Sequence, residues 1–195
     1  MEQSEPTSWV YINGLGERDI QNVNESDILT AVTYDKKGDY LAVGDRGGRV
    51  IVFKYADLKS SRYFDYRYFQ EIQAHEPEFD HLKSIEMEEK VNAIEFLHQN
   101  KSDSIQLLST NDRIIKLWSL KHTRSQEFSK CQVVGNQIMF PQKQMQTNNY
   151  EGVEKMQFRN CHNYNINSLS VSPDGEYFLS SDDLRIHLWN LQNNY

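Results

Sequence analysis

At 195 residues the chain has room for a single domain with a core of its own, and 38% hydrophobic with 12% aromatic content argues against disorder throughout. Its formal net charge of −7 argues against a polyphosphate backbone as the main partner, so basic peptides and proteins are the expected ligands and nucleic acid is not. No stretch approaches the roughly eighteen apolar residues of a membrane helix, and Met1 to Asn24 has no positive start followed by an apolar run; a cytoplasmic or nuclear protein without a membrane partner is expected.

In chain order, three segments end alike: Gly44 to Phe53, Ser109 to Trp118 and Ser181 to Trp189 each read as strand, tight polar turn, strand. Two further strand signals precede each of them. They are Ile28 to Tyr34 then Tyr40 to Val43, Val91 to Phe96 then Ile105 to Leu108, and Ile166 to Val171 then Tyr177 to Leu179. Lys36-Lys-Gly-Asp39 and Ser172-Pro-Asp-Gly175 supply turn chemistry between the first and second strands. Three antiparallel strands therefore recur three times.

The anchors Phe53, Trp118 and Trp189 are 65 and 71 residues apart, so sequence is inserted after each third strand. The first insertion, 54–90, is aromatic early and acidic late; within it Asp80 to Lys90 reads as a short helix capped by Asp80, with Leu82, Ile85 and Met87 on one face. The second, 121–159, alternates apolar and polar residues at Val133 to Pro141 and at Val153 to Phe158, which predicts a projecting β-hairpin.

The phrase from Ile166 to Leu191, with Ser-Pro-Asp-Gly at its first turn and Ile-His-Leu-Trp at its end, closely resembles a WD repeat. That resemblance implies an all-β fold, a WD-repeat β-propeller of which this chain holds about three blades of seven. The blades fall at about 25–73 (with the insertion 54–90), 91–120 and 162–191, and the insertion hairpin at 121–159. It also implies a buried hydrogen-bond chain in each blade, placed on His162, Ser180, Asp183 and Trp189, and on His75, Ser109, Asp112 and Trp118. The first repeat departs from the pattern, ending in Phe53, and is expected to hold by apolar packing.

Two stretches narrow the likeness. His75 to Asn92 (His-Glu-Pro-Glu-Phe-Asp-His-Leu-Lys-Ser-Ile-Glu-Met-Glu-Glu-Lys-Val-Asn) and Asn160 to Val171 (Asn-Cys-His-Asn-Tyr-Asn-Ile-Asn-Ser-Leu-Ser-Val) resemble signature segments of the WD-repeat regulatory B subunits of protein phosphatase 2A. The resemblance implies a non-catalytic subunit, with no cofactor, that docks on the phosphatase's scaffold (A) subunit and presents phosphoprotein substrates with basic segments to its catalytic (C) subunit. By the same resemblance, scaffold contact falls on Val133, Val134, Ile138, Phe140 and Pro141. An acidic substrate groove falls on Glu25, Arg46, Glu88, Glu89, Tyr164 and Asp183, with hydrophobic anchors taken by Phe79 and Leu82. Departures from the family's pattern are Asn165, where members often carry His, and a hairpin that keeps little beyond Ile138 to Pro141.

Plainer readings stand beside these. Asp183 serves equally as a turn residue of the blade, and Glu86, Glu88 and Glu89 as a solvated acidic face. His75, Glu76, Glu78, Asp80 and His81 match no zinc spacing, so no metal is expected, and Pro77 breaks any His-x-x-x-His helix face. Gly14-Leu-Gly16 and Gly44 to Gly48 lack the Lys-Ser or Lys-Thr of a phosphate loop, and no nucleophile, base and orienting acid group together. Three blades cannot close a ring, which predicts a piece of a longer WD-repeat sequence; a generic WD-repeat interaction scaffold and a truncated, non-functional fragment are the alternative readings.

Overall fold

A computed structural model describes residues 14–16, 21, 23–56, 65–81, 84–97, 104–125, 132–134, 137–139 and 147–191. Blade 1 is the antiparallel sheet of β1 (Leu29–Tyr34), β2 (Tyr40–Asp45), β3 (Arg49–Ala56) and β4 (Asp65–Gln73), in that order. A small hairpin of β5 (Glu78–Asp80) and β6 (Ile85–Met87) leads into blade 2, whose inner strands are β7 (Ala93–Phe96), β8 (Ile105–Thr110) and β9 (Ile115–Ser125). After a second small hairpin, β10 (Gln132–Val134) and β11 (Gln137–Met139), the strand β12 (Thr147–Phe158) returns to pair with β9 as the outer strand of blade 2. Blade 3 contributes β13 (Ser168–Val171), β14 (Tyr177–Ser181) and β15 (Ile186–Asn190).

The repeat is visible in the register. Ser109 stands opposite Ile94 and Trp118 opposite Leu107; in blade 3 Ser180 stands opposite Leu169 and Trp189 opposite Phe178. In blade 1 the same places hold Val43 opposite Val32 and Phe53 opposite Leu41. The turns repeat as well: Gly38 at φ 74° and Gly175 at φ 73° each donate their N–H back to a carbonyl three residues earlier, Asp35 at 3.1 Å and Ser172 at 3.0 Å. Both positions lie in the left-handed region that favours glycine.

Each sheet buries both faces only where it has a neighbour. One apolar cluster joins blade 1 (Ala42, Val50, Val52, Ile72) to blade 2 (Ile94, Phe96, Leu107, Trp118). A second joins blade 2 (Leu108, Ile115, Leu117) to blade 3 (Leu169, Phe178, with Trp189 packed against it). Alternation along the strands of blade 2 sends one set of side chains to each cluster. Gly44 and Gly152 mark close approaches between blades 1 and 2, since a Cβ at Gly44 would lie 2.6 Å from Val91 Cγ1 and one at Gly152 would lie 2.2 Å from Ile72 Cγ2.

Both insertions yield the outer strands of their blades. β4 lies inside 54–90 and β12 inside 121–159, so much of what reads as insertion is propeller sheet. Pairing of β8 with β9 ends at Leu120, whereas β9 and β12 run on together to Ser125 and Thr147. A two-stranded arm thus extends past the sheet.

The helix expected over Asp80 to Lys90 is not formed. Glu78 pairs with Met87, Phe79 with Glu86 and Asp80 with Ile85, so Asp80 ends a strand instead of capping a helix. Ser84, at φ 51°, turns the chain back in a conformation that a continuing helix cannot contain. The period of two in Ile85-Glu86-Met87 wins over the looser helical spacing because Met87 is buried on one side of the hairpin and Glu86 is exposed on the other. Leu82 lies outside the described residues.

The buried hydrogen-bond chain of blade 3 is complete, with one change of residue. Trp189 Nε1–H donates to Ser180 Oγ at 2.8 Å, the Ser180 hydroxyl lies 2.7 Å from His162 Nε2, and His162 Nδ1–H donates to Asp182 Oδ2 at 2.8 Å. The acid is Asp182, not Asp183; the latter is exposed and accepts from Asn167 Nδ2 at 2.7 Å. Asp182 Oδ1 meanwhile accepts the backbone N–H groups of Leu184 and Arg185 and so closes the turn. The hydrogen bond from His162 is the main cause holding the Asp182 carboxyl down to about 2.

Blade 2 has a shorter chain. Trp118 Nε1–H donates to Ser109 Oγ at 3.1 Å, and Ser109 Oγ lies 2.9 Å from His75 Nε2. Asp112 is not a member either, for it accepts from Asn92 Nδ2 at 2.8 Å. The place of Asp182 is taken by Asn111, whose amide donates to Glu88 O, leaving the buried His75 Nδ1 without a partner. Burial, with Lys116 nearby, pushes the His75 imidazole down to about 3. Among its described residues blade 1 has no such chain; Arg49 bridges the buried Asp45 at 2.6 Å and Asp27 at 2.5 Å instead.

Two outcomes follow for stability. Ser180→Ala removes the middle of the blade 3 chain, leaves the buried His162 Nε2 and the part-buried Trp189 Nε1 without this partner and should cost about 1–3 kcal/mol in urea unfolding; Asp182→Ala should lower the midpoint while Asp183→Ala leaves it in place. His75 binds its proton more weakly folded than unfolded, so the stability it contributes is present above its unfolded value near 6.5 and drains away as the pH falls towards 3. The expected slope is at most about 1.4 kcal/mol per pH unit, and it should flatten in His75→Gln.

Candidate functional site

In each blade the first strand begins, the second ends and the third begins at one edge of the sheet. The chain leading into a first strand and the turn between second and third strands therefore meet on one face of the arc. Glu25 precedes β1, Glu88 and Glu89 precede β7, and Tyr164 precedes β13; Arg46 lies in the β2–β3 turn and Asp183 in the β14–β15 turn. All six expected groove positions share this face.

Four of them line one pocket. Glu25, Arg46, Glu88 and Glu89, together with Ser26 and Lys90, surround a cleft of about 310 Å³ between blades 1 and 2. Three carboxylates face two cations there, and Arg46 is ion-paired with Glu25. The backbone fixes the walls: Arg46 N–H donates to Ile28 O at 3.0 Å, Gly47 N–H to Ser26 O at 2.9 Å, and Val91 N–H to Asp45 O at 3.0 Å. At φ 79°, Gly48 sits so close to the other wall that a Cβ would fall 2.2 Å from His75 O and 3.0 Å from Glu89 Cβ. Only a glycine there lets the two walls approach.

Phe79 belongs to a neighbouring pocket of about 380 Å³. It is exposed, stands edge-on to His81 at 4.9 Å, and shares the pocket with Met87, Ile114, Arg113 and Arg159. Arg159 grips Glu78 through both guanidinium nitrogens at 2.7 and 3.0 Å, which holds the Glu78 carboxyl below the usual carboxylate range. Tyr164 and Asp183 are exposed on the same face but line neither pocket. Lys90, Arg113 and Arg159 were not singled out by sequence reasoning; Lys90 and Arg113 adjoin expected site residues, while the pairing of Arg159 with Glu78 spans 81 positions and leaves no local signal.

The residues expected to meet a scaffold occupy the β10–β11 hairpin, where Val133 pairs with Ile138 and Val134 with Gln137. Phe140 and Pro141 lie outside the described residues. Among the described residues no three His, Cys, Asp or Glu side chains are disposed to hold a metal ion, and no helix is long and apolar enough to cross a membrane. Cys161 is a free, half-buried thiol whose pKa burial pushes up.

Two antiparallel four-stranded blades and the three strands of a third, joined outer strand to inner strand, together with a Trp–Ser–His–Asp chain and turn-lined faces, define a WD-repeat propeller segment. Residues 153–190 match the model of the WD domain, G-beta repeat. The chain is 42% identical to the protein phosphatase PP2A regulatory B subunit of Candida tropicalis over 89% of its length, and 40% identical to the protein of the same name from Schizosaccharomyces pombe over 94%. It is 32% identical to the serine/threonine-protein phosphatase 2A regulatory subunit phr2AB of Dictyostelium discoideum over 98%. The chain belongs to the family of WD-repeat regulatory B subunits of protein phosphatase 2A, which are non-catalytic. It spans 36%, 42% and 49% of those three relatives, under half of each.

Gly48→Ala tests the construction of the cleft. The added methyl must displace either the His75 carbonyl or the Glu89 segment, so a loss of about 1–3 kcal/mol in denaturant unfolding is expected. Gly47→Ala, whose methyl would meet Ser26 Cβ at 3.1 Å, should cost less.

Proposed function

We propose that the chain acts as a non-catalytic regulatory subunit of protein phosphatase 2A, docking on the scaffold subunit and presenting phosphoproteins to the catalytic subunit, in the cytoplasm and nucleus. The relatives' names support the phosphatase. The observation that carries the recruitment step is the cleft in which Glu25, Glu88 and Glu89 converge. Carboxylates gathered in one cleft attract Lys and Arg, raise the rate of encounter and reject acidic segments. Phe79 and the apolar wall of the adjacent pocket would take a hydrophobic side chain next to the basic segment. The hairpin between β9 and β12 is the part we assign to the scaffold. Its apolar strand positions Val133, Val134 and Ile138 fall in the sequence between β9 and β12, the two strands that run on past the sheet.

Affinity purification of the tagged chain from its own cells tests both halves. Scaffold and catalytic subunits should co-purify, and replacing residues 126–146 with a short linker should abolish this while keeping β12 and therefore blade 2. The double variant Glu88→Lys, Glu89→Lys should keep the scaffold yet weaken a Lys/Arg-rich phosphopeptide by about tenfold or more, and wild-type binding should fall with rising salt. Purification without either phosphatase subunit, or peptide binding indifferent to the reversal of charge, would refute the corresponding half.

A further inference from the structure

Two pockets on the turn-lined face share one wall. Met87 and Ile114, both buried, line the pocket of about 380 Å³, whereas Glu88 and Glu89, next in the chain after Met87, line the acidic cleft. Consecutive Cα atoms stand about 3.8 Å apart, so at residues 87 and 88 this wall is one strand of backbone thick. One extended ligand can therefore lay a basic side chain in the cleft and, a few residues along, an apolar one against Met87, Ile114 and the exposed Phe79.

The charges of this pocket do not repeat those of the cleft. Arg159 grips Glu78 with both guanidinium nitrogens, at 2.7 and 3.0 Å, so these two charges neutralise each other. Asp80 has an interaction of its own. Arg113, in the β8–β9 turn, also lines the pocket, and among the described residues its guanidinium gives one hydrogen bond, to Asn163 O. A guanidinium carries five N–H donors, so donors remain for a ligand. The contact with Asn163 sets Arg113 towards blade 3 and so away from the cleft, which lies between blades 1 and 2.

We propose that this pocket reads a carboxylate: a recruited segment carries Lys or Arg on one side of an apolar residue and Asp or Glu on the other, and the acidic side chain pairs with Arg113. The inference rests on the recruitment reading of the cleft and adds to it a determinant of opposite sign. Guanidinium and carboxylate match as a two-pronged pair. A phosphoryl group is the poorer occupant, because Asp80 adds negative charge to the lining and because a phosphate held here would be withheld from the catalytic subunit. Opposite charges on either side of an apolar contact also fix the direction of the bound segment. Reversal would set its basic residue on Arg113 and its acidic residue on Glu88 and Glu89.

Fluorescence anisotropy with the purified chain tests this, using a labelled peptide in which a Lys-Arg pair precedes a leucine and a glutamate follows it, and the same peptide in reversed order. In the better-binding order, replacing the peptide's glutamate by glutamine should weaken binding about fivefold and replacing it by lysine should weaken it further, while phosphoserine there should bind no better than glutamate. Arg113→Glu should invert the ranking, so that the lysine peptide binds best, an outcome that mere loss of structure cannot produce. The double variant Glu88→Lys, Glu89→Lys keeps the two readings apart: it should lose affinity for every peptide yet still prefer glutamate to glutamine. Equal affinity of the wild type for the glutamate, glutamine and lysine peptides, a ranking unchanged by Arg113→Glu, or tighter binding of phosphoserine would overturn the proposal. Affinity indifferent to the double variant but still ranking glutamate over glutamine would refute the cleft and uphold the role of Arg113.

Discussion

The structure depends on a hydrogen-bonded staple between successive blades. His162 enters blade 3 directly after β12, the outer strand of blade 2, and His75 enters blade 2 directly after β4, the outer strand of blade 1. Each imidazole is buried and reaches a serine on the second strand of its blade, and that serine in turn holds the tryptophan of the third. One short chain of polar contacts thereby fixes where a blade begins relative to where the previous one ended. Buried polar groups are costly unless paired, so the staple tolerates little displacement and specifies one geometry. Apolar contact between sheets is less directional and supplies area instead of alignment.

From that alignment the groove follows. Because the staple sets the segment after His75 beside the β2–β3 turn, the acidic pair Glu88 and Glu89 faces Arg46 and Glu25. The donor of the Asn111 side chain, directed to Glu88 O, ties this segment to blade 2. Its cost is the unpaired His75 Nδ1, where blade 3 commits an aspartate to the staple. Blade 2 thus shifts a polar contact from its interior to the wall of the cleft.

Much of this was legible in the sequence. The inner strands and their turns were readable because apolar alternation, glycine-bearing turns and terminal tryptophans coincide in Ile166 to Leu191 and recur upstream. The outer strands β4 and β12 were harder, since they carry many polar residues and follow poorly matched stretches; β12 was read as a hairpin arm although most of it belongs to a blade. Asp182 and Asp183 are adjacent, and only the fold of the turn shows which carboxylate points inward. The stretch from Phe79 to Met87 satisfies both helical and alternating patterns, and pairing between Glu78 and Met87 decides it. Proximity of the groove residues rests on Gly48, whose role is spatial and leaves no mark beyond the residue itself.

Among its described residues the first blade lacks the staple, and Asp27, Arg49 and Asp45 tie its inner edge together. Two of these three side chains are partly solvated, so their attraction is screened where the histidine staples are not. Local opening in a folded chain is drawn from such weakly protected parts. The arc therefore has a direction: a compliant end whose segment around Glu25 is also a wall of the cleft, and a stiffer middle around Leu107 and Ile115 that carries the opposite wall. One wall of the cleft thus rests on partly solvated ion pairs, and the other on a buried histidine staple.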